Sequence, residues 1–387
     1  MIRVLFHLSQ FNIGGGEMST LRLLNALQAC GAQITLTLTE GRGALVDRLN
    51  SEIEVIVLRP GKRSENPAWR MLRGVAGVFA ALPLASRRFD AAVVGMTGAP
   101  TWIVRHVVRA PRKLQFIRND LSQMGKSAEI ISAVRRNRHA FTAFVCVSDV
   151  ARRSLIAAVP EVAEKAHVVH NILNPDEMRA RALAGPDPFP PRRDGALRIA
   201  SVCRLNDKAK ALVRMVRVAR RLMEAGLDFD WFVFGDGPDS ALMEAEIAAQ
   251  GVSAQMHLPG RIENPFPAFR HADLVAMLSY YEGLCGVINE AKVMGRPIVA
   301  TRVSGVEEQL IAGETGLIAE QDDDAIVATM QSALTDTALR ARMTNVRLPA
   351  ALLDDDAKLD RLWQLFAGPG HDRNPSCSGS PREGDNK

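Results

Sequence analysis

Short apolar runs alternate with amphipathic stretches along most of this chain, and this alternation is the feature that most limits its fold. Runs such as Ile2–Leu8 and Ile34–Thr39 have the length and composition of buried strands. Between them, Met18–Cys30 has the pattern of a helix, which Gly31 would end. Strands that alternate with helices form parallel sheets with helices on both faces. The sequence therefore predicts an α/β fold.

The same rhythm occurs on both sides of a proline-rich stretch. Residues 184–196 contain four prolines and two glycines, a composition typical of a linker. A length of 387 residues also favours two domains, at roughly 100–200 residues per domain. We therefore expect two doubly wound Rossmann-like domains that face a central cleft, where a ligand would bind. The expected bounds are 1–183 for the first domain, 184–196 for the linker, 197–345 for the second domain and 367–387 for a disordered tail.

The predicted elements follow from the apolar spacing. Predicted strands cover 2–8, 34–39, 55–58, 91–94, 114–117, 144–147, 167–169, 197–203, 230–234, 255–258, 274–278 and 297–301. Predicted helices cover 18–30, 211–225, 240–250, 287–294 and 324–335.

Composition favours a cytoplasmic protein that does not span a membrane. The longest apolar run, Gly74–Ala85, stops well short of the ~20 residues that a membrane helix needs. The N-terminus has the pattern of a strand rather than of a signal peptide. The five cysteines are scattered and form no C-x-x-C pair, which argues against a disulfide framework or a zinc site. We expect no metal site and no bound cofactor.

The positive charge of the chain is concentrated in its first half. Residues 59–138 carry 16 basic and 4 acidic side chains, whereas the whole chain has a net charge of only +5. This excess fits a solvated basic surface, or an anionic partner such as a phospholipid surface, a lipid phosphate or a nucleic acid. Nucleic acid is the weakest of these, because few aromatic residues are interleaved with the basic ones and no reading motif is present.

Glycines at 14, 15 and 16 follow the first predicted strand and precede a helix. Their N–H groups would suit a phosphate at the helix N-terminus. The dinucleotide pattern G-x-G-x-x-G is absent, since Ser19 stands where its last glycine belongs. A tight turn between strand and helix is the alternative interpretation.

Two glutamates, Glu282 and Glu290, flank a predicted helix start in the second domain. A regular helix would not place both on one face, but Glu282 before the helix and Glu290 two turns into it could face one ligand. The amides of Gly283, Leu284, Cys285 and Gly286 lie between them, and the two glycines let an anion approach closely. Such a site suits a ligand with both phosphates and hydroxyls. Two surface glutamates around a helix cap are the alternative.

Cations follow the first strand of the second domain, at the carboxyl edge where doubly wound sheets bind ligands. Arg204, Lys208 and Lys210 would neutralise a diphosphate there. The loop 235–238, Gly-Asp-Gly-Pro, follows the next strand, and we interpret it as a turn. The D-x-D pattern at Asp228 and Asp230 is interpreted as structural.

In order along the chain, these motifs resemble those of the family-4 retaining glycosyltransferases of the GT-B fold, over roughly residues 1–365. The matching segments are 14–17, 147–148, 171, 204–205, 235–238, 258–261, 264–267, 271–273, 282–290, 295–301, 304–308 and 313–317.

The resemblance implies roles for particular residues. Arg204 and either Lys208 or Lys210 would bind the diphosphate of a nucleotide-sugar donor, with Gly15 and Gly16 approaching the phosphates from the other domain. Glu282 would contact the transferred sugar, Glu290 the ribose, and the backbone at Arg261 and Ile262 the nucleobase. A C-terminal helix within 346–366 would cross back to the first domain.

Two departures from the family pattern matter. Many relatives carry a histidine near the reacting sugar, whereas the matching stretch here reads Phe116-Ile-Arg118-Asn119-Asp120. We expect Arg118, Asn119 or Asp120 to take that place, and count Asn119 and Asp120 with Glu282 as candidate catalytic residues. The expected Lys-Gly reads Lys-Ala at both Lys208 and Lys210, which leaves the phosphate lysine open.

The resemblance implies a hexosyltransferase that works without a metal and acts on a glycan or lipid-linked acceptor. Synthesis of cell-surface polysaccharide or lipopolysaccharide, at the inner face of the cytoplasmic membrane, would fit the basic first half. A sugar-nucleotide epimerase of the same fold, or a catalytically silent sugar-nucleotide-binding partner, are the alternatives.

Overall fold

A computed structural model describes residues 1–41, 43–59, 67–124, 127–344 and 348–368. Contacts divide the chain into two compact units. The first unit contains Met1–Ile172 and the C-terminal residues from Asp354, and the second contains Leu173–Leu353. Each unit has an α/β architecture, as the sequence predicts.

Within the described residues, the first unit has a parallel sheet in the order β3-β2-β1-β4-β5-β6-β7. Its interior strands are almost entirely buried, because helices cover both faces of a doubly wound sheet. The strands are β1 (Arg3–Leu8), β2 (Gln33–Glu40), β3 (Glu54–Arg59), β4 (Ala91–Val94), β5 (Arg112–Ile117), β6 (Ala143–Cys146) and β7 (Ala166–Val168). The order reverses between β1 and β4, which makes their carboxyl ends the topological switch point.

Helices connect these strands, and the last helix of the chain also belongs to the first unit. They are α1 (Gly15–Ala29), α2 (Pro67–Ser86), α3 (Ser127–Asn137), α4 (Asp149–Ala158) and α15 (Asp355–Ala367). Phe366 of α15 packs edge-on against Phe6 of β1, with ring centroids 6.2 Å apart. Short 3₁₀ turns occupy 46–48, 121–123, 138–140 and 160–165, and a single π-helical turn occupies 103–107.

The second unit has a parallel sheet in the order β10-β9-β8-β11-β12-β13 within the described part of the chain. Its strands are β8 (Leu197–Val202), β9 (Phe229–Phe234), β10 (Met256–Gly260), β11 (Leu274–Met277), β12 (Ile298–Thr301) and β13 (Leu317–Ala319). The switch point here lies between β8 and β11. Its helices are α5 (Pro175–Ala184), α6 (Asp207–Lys210), α7 (Leu212–Glu224), α8 (Ser240–Ala249), α9 (Phe266–His271), α10 (Gly286–Val293), α11 (Val306–Gln309), α12 (Asp323–Thr335), α13 (Thr337–Thr344) and α14 (Ala350–Leu353).

The proline-rich segment 184–196, predicted as a linker, lies inside the second unit. Ion pairs hold its arginines: Arg192 makes two hydrogen bonds to Asp273, at 2.6 and 3.2 Å, and Arg193 binds Asp230 at 3.0 Å. The chain passes between the units after Ile172 and again after Leu353. Of the predicted tail 367–387, Ala367 ends α15, and residues 369–387 lie outside the described residues.

His7 is fully buried in β1, and burial lowers its pKa from 6.5 to about 4. Its ring nitrogens contact the hydroxyls of Thr37 and Thr39, at 3.0 and 3.2 Å. Because the unfolded chain takes up this proton near pH 6.5 and the folded chain only near pH 4, stability is lost as the pH falls through this window.

We expect this single group to cost about 2 kcal/mol of the free energy of unfolding between pH 7.5 and pH 5. Urea unfolding of the wild type and of His7→Gln at both pH values measures the effect. The variant should lose that part of the pH dependence, even if it is less stable at both pH values. An identical pH dependence in the two proteins would show that His7 is not the cause.

Candidate functional site

The predicted donor residues gather at the switch point of the second unit. Parallel strands β8 and β11 are neighbours, so the loops that follow them meet at the carboxyl edge of the sheet. The backbone N–H of Tyr280, after β11, donates to the carbonyl of Ala209 in α6 at 2.9 Å. This bond fixes the two loops to each other and brings together side chains that are 72 residues apart in sequence.

Lys210 and Glu282 form an ion pair at this point. Glu282 Oε1 also accepts a hydrogen bond from the hydroxyl of Ser279, at 2.7 Å. Burial acts to lower the pKa of Lys210, but the adjacent Glu282 carboxylate outweighs it and the pKa is raised above its usual value. Lys210 is therefore a permanent cation, held beside a carboxylate in a partly buried setting.

The backbone distinguishes between the two candidate phosphate lysines. Ala211, after Lys210, has a left-handed conformation with φ of 56°, whereas Ala209, after Lys208, lies inside α6. A left-handed residue is where glycine is preferred, which favours Lys210-Ala211 over Lys208-Ala209 as the counterpart of the expected Lys-Gly pair. The choice of phosphate lysine stays a prediction. Lys208, in α6, and Arg204, in the loop before it, both have exposed side chains.

Helix α10 begins next to this ion pair. Cys285 is its N-cap residue and makes no side-chain capping bond, and the N–H groups of the first turn start at Gly286. Glu290 extends back over this turn, since its Oε1 lies 3.9 Å from the position that a β-carbon on Gly286 would occupy. Glu282 and Glu290 thus flank the start of one helix, as the sequence predicts. Gly283 and Leu284 complete the buried loop before it.

The loop that contains Gly235 and Gly237 packs closely against the backbone of the loop that leads to Lys210. A β-carbon at Gly235 would lie 1.8 Å from the carbonyl oxygen of Cys203, and one at Gly237 would lie 2.2 Å from that of Leu205. Leu205 N–H also donates to Asp236 O at 3.0 Å. The segment predicted as a turn therefore positions the loop from Cys203 to Lys210, because only glycine permits this approach.

Arg261 and Ile262 follow β10 at the same edge. Arg261 is exposed, and Ile262 packs against the cluster of Phe232 and Phe234. Gly235 N–H donates to the carbonyl of Gly260 at 2.9 Å, which ties this loop to the glycine loop. Their contact with a nucleobase stays a prediction.

In the first unit, Arg118 lies against the start of α1. A β-carbon on Gly16 would lie 3.8 Å from Cδ of Arg118, while Gly15 faces open space. The guanidinium of Arg118 donates to Gly95 O at 2.8 Å, Thr20 Oγ1 at 2.9 Å and Asn171 Oδ1 at 3.1 Å.

Arg118 is a cation at neutral pH despite its burial. Burial lowers its pKa only to about 10, partly offset by the nearby Glu17 carboxylate. A residue that keeps its proton cannot replace a histidine in proton transfer. Its three hydrogen bonds instead join the ends of several elements of the first unit around the glycine loop.

The two candidate catalytic residues of the first unit have different surroundings. Asp120 is buried, and its Oδ1 accepts hydrogen bonds from the N–H and hydroxyl of Ser122, at 2.9 and 2.6 Å. These bonds cap the 3₁₀ turn 121–123. Asn119 is half-buried, and no hydrogen bond joins its side chain to another described residue. Participation of either in catalysis stays a prediction.

Sequence reasoning missed two side chains, Gln321 and Arg214, that hold the Glu282 loop. Gln321 Nε2 donates to the carbonyls of Arg302 at 3.0 Å and Ser279 at 3.2 Å. Arg214 donates in turn to Gln321 and stacks over the ring of Tyr280, 4.0 Å from its centroid. Neither Gln321 nor Arg214 belongs to a recognisable motif, and their partners lie far away in the sequence, so only the fold reveals them.

Asp228 and Asp230 are engaged in ion pairs within the second unit. Asp230 binds Arg193 and His257, at 3.0 and 3.2 Å, and Asp228 binds Arg193 at 3.0 Å. Among the described residues, no group of three or more His, Cys, Asp or Glu side chains comes together in a way that could hold a metal ion.

Comparison with known proteins agrees with this geometry. Residues 188–346 match the model of the family "Glycosyl transferases group 1". Over these residues, the chain is similar to the group 1 glycosyl transferases. The matched segment contains β8 to β13 and every second-unit residue of the candidate site.

Curated relatives are similar over part of their length. The alpha-D-kanosaminyltransferase of Streptomyces kanamyceticus is 31% identical over 162 residues, which are 41% of this chain and 42% of the relative. The 2-deoxystreptamine N-acetyl-D-glucosaminyltransferase of Niallia circulans is 31% identical over 115 residues, 29% of this chain and 30% of the relative. The chain thus matches less than half of the length of these proteins.

Solved structures match nearly the whole chain. HepE of Anabaena, in complex with UDP and glucose, has a TM-score of 0.72 at 16% identity and covers 95% of this chain and 97% of its own. TarM of S. aureus, in a complex that includes UDP, has a TM-score of 0.73 at 9% identity and covers 95% and 100%. These likenesses show that the chain has the GT-B fold.

Proposed function

We propose that this protein is a retaining glycosyltransferase that moves a sugar from a nucleotide-sugar donor to a glycan or lipid-linked acceptor. The observation that carries the proposal is the Lys210–Glu282 ion pair next to the start of α10, where the N-cap residue makes no side-chain capping bond. It places a fixed cation, a carboxylate and the first-turn amides of a helix at one sheet edge. A nucleoside diphosphate sugar needs all three, since its phosphates are anionic and its sugar presents hydroxyls. The relatives of this segment are sugar transferases.

The same groups can promote the reaction. When the nucleoside diphosphate departs, negative charge grows on its terminal phosphate while the sugar becomes cation-like. Lys210, Arg204 and the first-turn amides of α10 would stabilise this charge more in the transition state than in the ground state. Glu282 would accept from the sugar hydroxyls and Glu290 from the ribose. These cations and amides can supply the charge stabilisation without a divalent ion, and metal independence is part of the proposal.

A donor screen tests the proposal. The protein is incubated with a panel of sugar nucleotides and detergent-solubilised lipid extract, with EDTA present, and release of nucleoside diphosphate is followed. We expect release from one donor that depends on the acceptor, and a product whose anomeric proton shows retention by NMR. Conversion of the donor without an acceptor would instead indicate an epimerase. Nucleotide binding without turnover in any extract would indicate a catalytically silent partner.

We further propose that the first unit docks on an anionic membrane that carries the acceptor. Val78, Phe79 and Leu82 form an exposed apolar face on α2, with exposed fractions of 50%, 65% and 54%. This face lies within the basic stretch 59–138. Apolar side chains together with basic residues favour the interface of a bilayer that contains acidic lipids. No helix among the described residues is long and apolar enough to span a membrane.

Replacing Phe79 and Leu82 by serine should weaken binding to phosphatidylglycerol vesicles on the order of tenfold or more, because buried apolar area is lost. Co-sedimentation at low salt measures the effect. The matched control is Leu183→Ser, since Leu183 is 66% exposed on α5 of the second unit. Equal sedimentation of both variants and the wild type would rule out the α2 face.

A further inference from the structure

Helix α10 has an unusual start. Most helices begin at a residue whose side chain caps the first N–H groups, whereas Cys285 makes no such bond. Burial raises the pKa of its thiol to about 12, so the sulfur stays neutral and accepts hydrogen bonds only weakly. The side chain of the N-cap residue is therefore at most a weak partner for the first N–H groups of the helix.

Gln309, the last residue of α11, holds Cys285 instead. The side chain of Gln309 is 1% exposed, and its Oε1 accepts from the N–H of Cys285 at 3.1 Å. Its Nε2 donates to the carbonyl of Cys285 at 2.8 Å and to Oδ1 of Asn289 at 2.6 Å. One side-chain amide thus pairs with both backbone groups of the N-cap residue and also with Asn289, the fourth residue of the helix.

A second contact fixes the neighbouring residue. Gly305, which precedes α11, has a φ of 76°, and a β-carbon there would lie 2.6 Å from the carbonyl oxygen of Gly283. The start of α11 therefore touches the loop at Gly283 and its end holds Cys285. Together the two contacts fix the segment that joins Glu282 to the amides of α10.

We propose that Gln309 is a positioning residue that sets the first-turn amides of α10 against the phosphates of the donor. The inference rests on the proposed function, because it assigns these amides to a nucleoside diphosphate. Gln309 does not touch the ligand: it acts through Cys285. N–H groups that stabilise a developing charge must be in position before the reaction begins. A shift of about 1 Å in their position can cost on the order of 10²-fold in rate.

The test compares Gln309→Leu with Met330→Ala in the full-length protein. Met330 is fully buried in α12 of the same unit and is not part of the site. Both variants should melt at a lower temperature than the wild type. Only Gln309→Leu should weaken binding of the best-bound member of a UDP, GDP, ADP, CDP and dTDP panel, on the order of tenfold, with a fall in kcat. Calorimetry measures binding without reference to activity.

Gln309→Glu provides a second, independent test, which remains available if Gln309→Leu does not fold. A protonated glutamic acid can still accept from Cys285 N–H and donate to Cys285 O, whereas the ionised form cannot donate. Nucleotide affinity of this variant should therefore recover towards the wild-type value at acid pH, with a pH dependence that the wild type lacks. A merely structural loss would not be restored in this way.

The outcomes separate the two proposals. No nucleotide binding by the wild-type protein would overturn the proposed function and this inference together. Nucleotide binding by the wild type, with equal affinity and kcat in Gln309→Leu, would overturn the positioning role alone. A loss that appears equally in Met330→Ala would also overturn it, because the effect would then be general.

Discussion

Replacing Glu282 by glutamine is expected to lower turnover on the order of 10²-fold or more while the protein stays folded. Glutamine has nearly the same shape, so its side-chain oxygen can still accept the hydrogen bond from Ser279. The negative charge is lost, however, and with it the strong acceptor for the hydroxyls of the transferred sugar. Because this interaction is expected to strengthen as the sugar becomes cation-like, its loss should appear in kcat.

The same substitution has the opposite effect on nucleotide binding. In the wild type, Lys210 is paired with Glu282, and a bound diphosphate competes with that carboxylate. Glu282→Gln leaves Lys210 without its anion, so the affinity for the free nucleoside diphosphate should be unchanged or higher. Steady-state kinetics and calorimetry measure the two effects separately.

Glu290→Gln is the matched control for this experiment. Glu290 lies over the same helix start, but its proposed partner is the ribose, which does not change during the reaction. We expect a raised KM for the donor with a much smaller change in kcat. Turnover of Glu282→Gln within about threefold of the wild type, a loss of only ~0.65 kcal/mol, would remove Glu282 from the mechanism.

Much of the fold could be predicted from the sequence because its strands are short, apolar and regularly spaced. Each predicted strand overlaps an observed one, and the predicted helices match α1, α7, α8, α10 and α12. The prediction omitted β13, whose three residues are too few to show a pattern, and it named no helix at α2, α3, α4 or α5. The GT-B fold itself followed from the order of motifs, and the solved structures confirm it.

The candidate site was predictable where a side chain carries the chemistry. Glu282, Lys210 and Arg204 stand at the carboxyl ends of predicted strands, and parallel topology brings those ends together. The sequence left Lys208 and Lys210 open, because the feature that favours Lys210, the left-handed backbone of Ala211, is visible only in the structure. Gln309 and Gln321 could not be found either, since each acts on backbone groups far along the chain.

Replacing Gly235 by alanine is the second change with a large expected effect. Its new methyl group would lie 1.8 Å from the carbonyl oxygen of Cys203, a backbone atom that cannot move without shifting the loop that carries Arg204 and Lys210. A displacement of about 1 Å is enough to cost on the order of 10²-fold in turnover. Nucleotide affinity should fall as well, because Lys210 moves away from the α10 amides.

Gly226→Ala is a control that distinguishes displacement of the Arg204–Lys210 loop from the effect of backbone strain alone. Gly226 also has a positive φ, 75°, but a β-carbon there would meet nothing within 4 Å. Alanine in this left-handed conformation should lower the free energy of unfolding by roughly 1–2 kcal/mol without displacing a loop. We therefore expect Gly226→Ala to unfold at a lower urea concentration with nearly unchanged kcat and nucleotide affinity. Gly235→Ala should lose both, because its methyl group acts on the donor site itself. Equal kinetics in the two variants would mean that the glycine loop is only a turn.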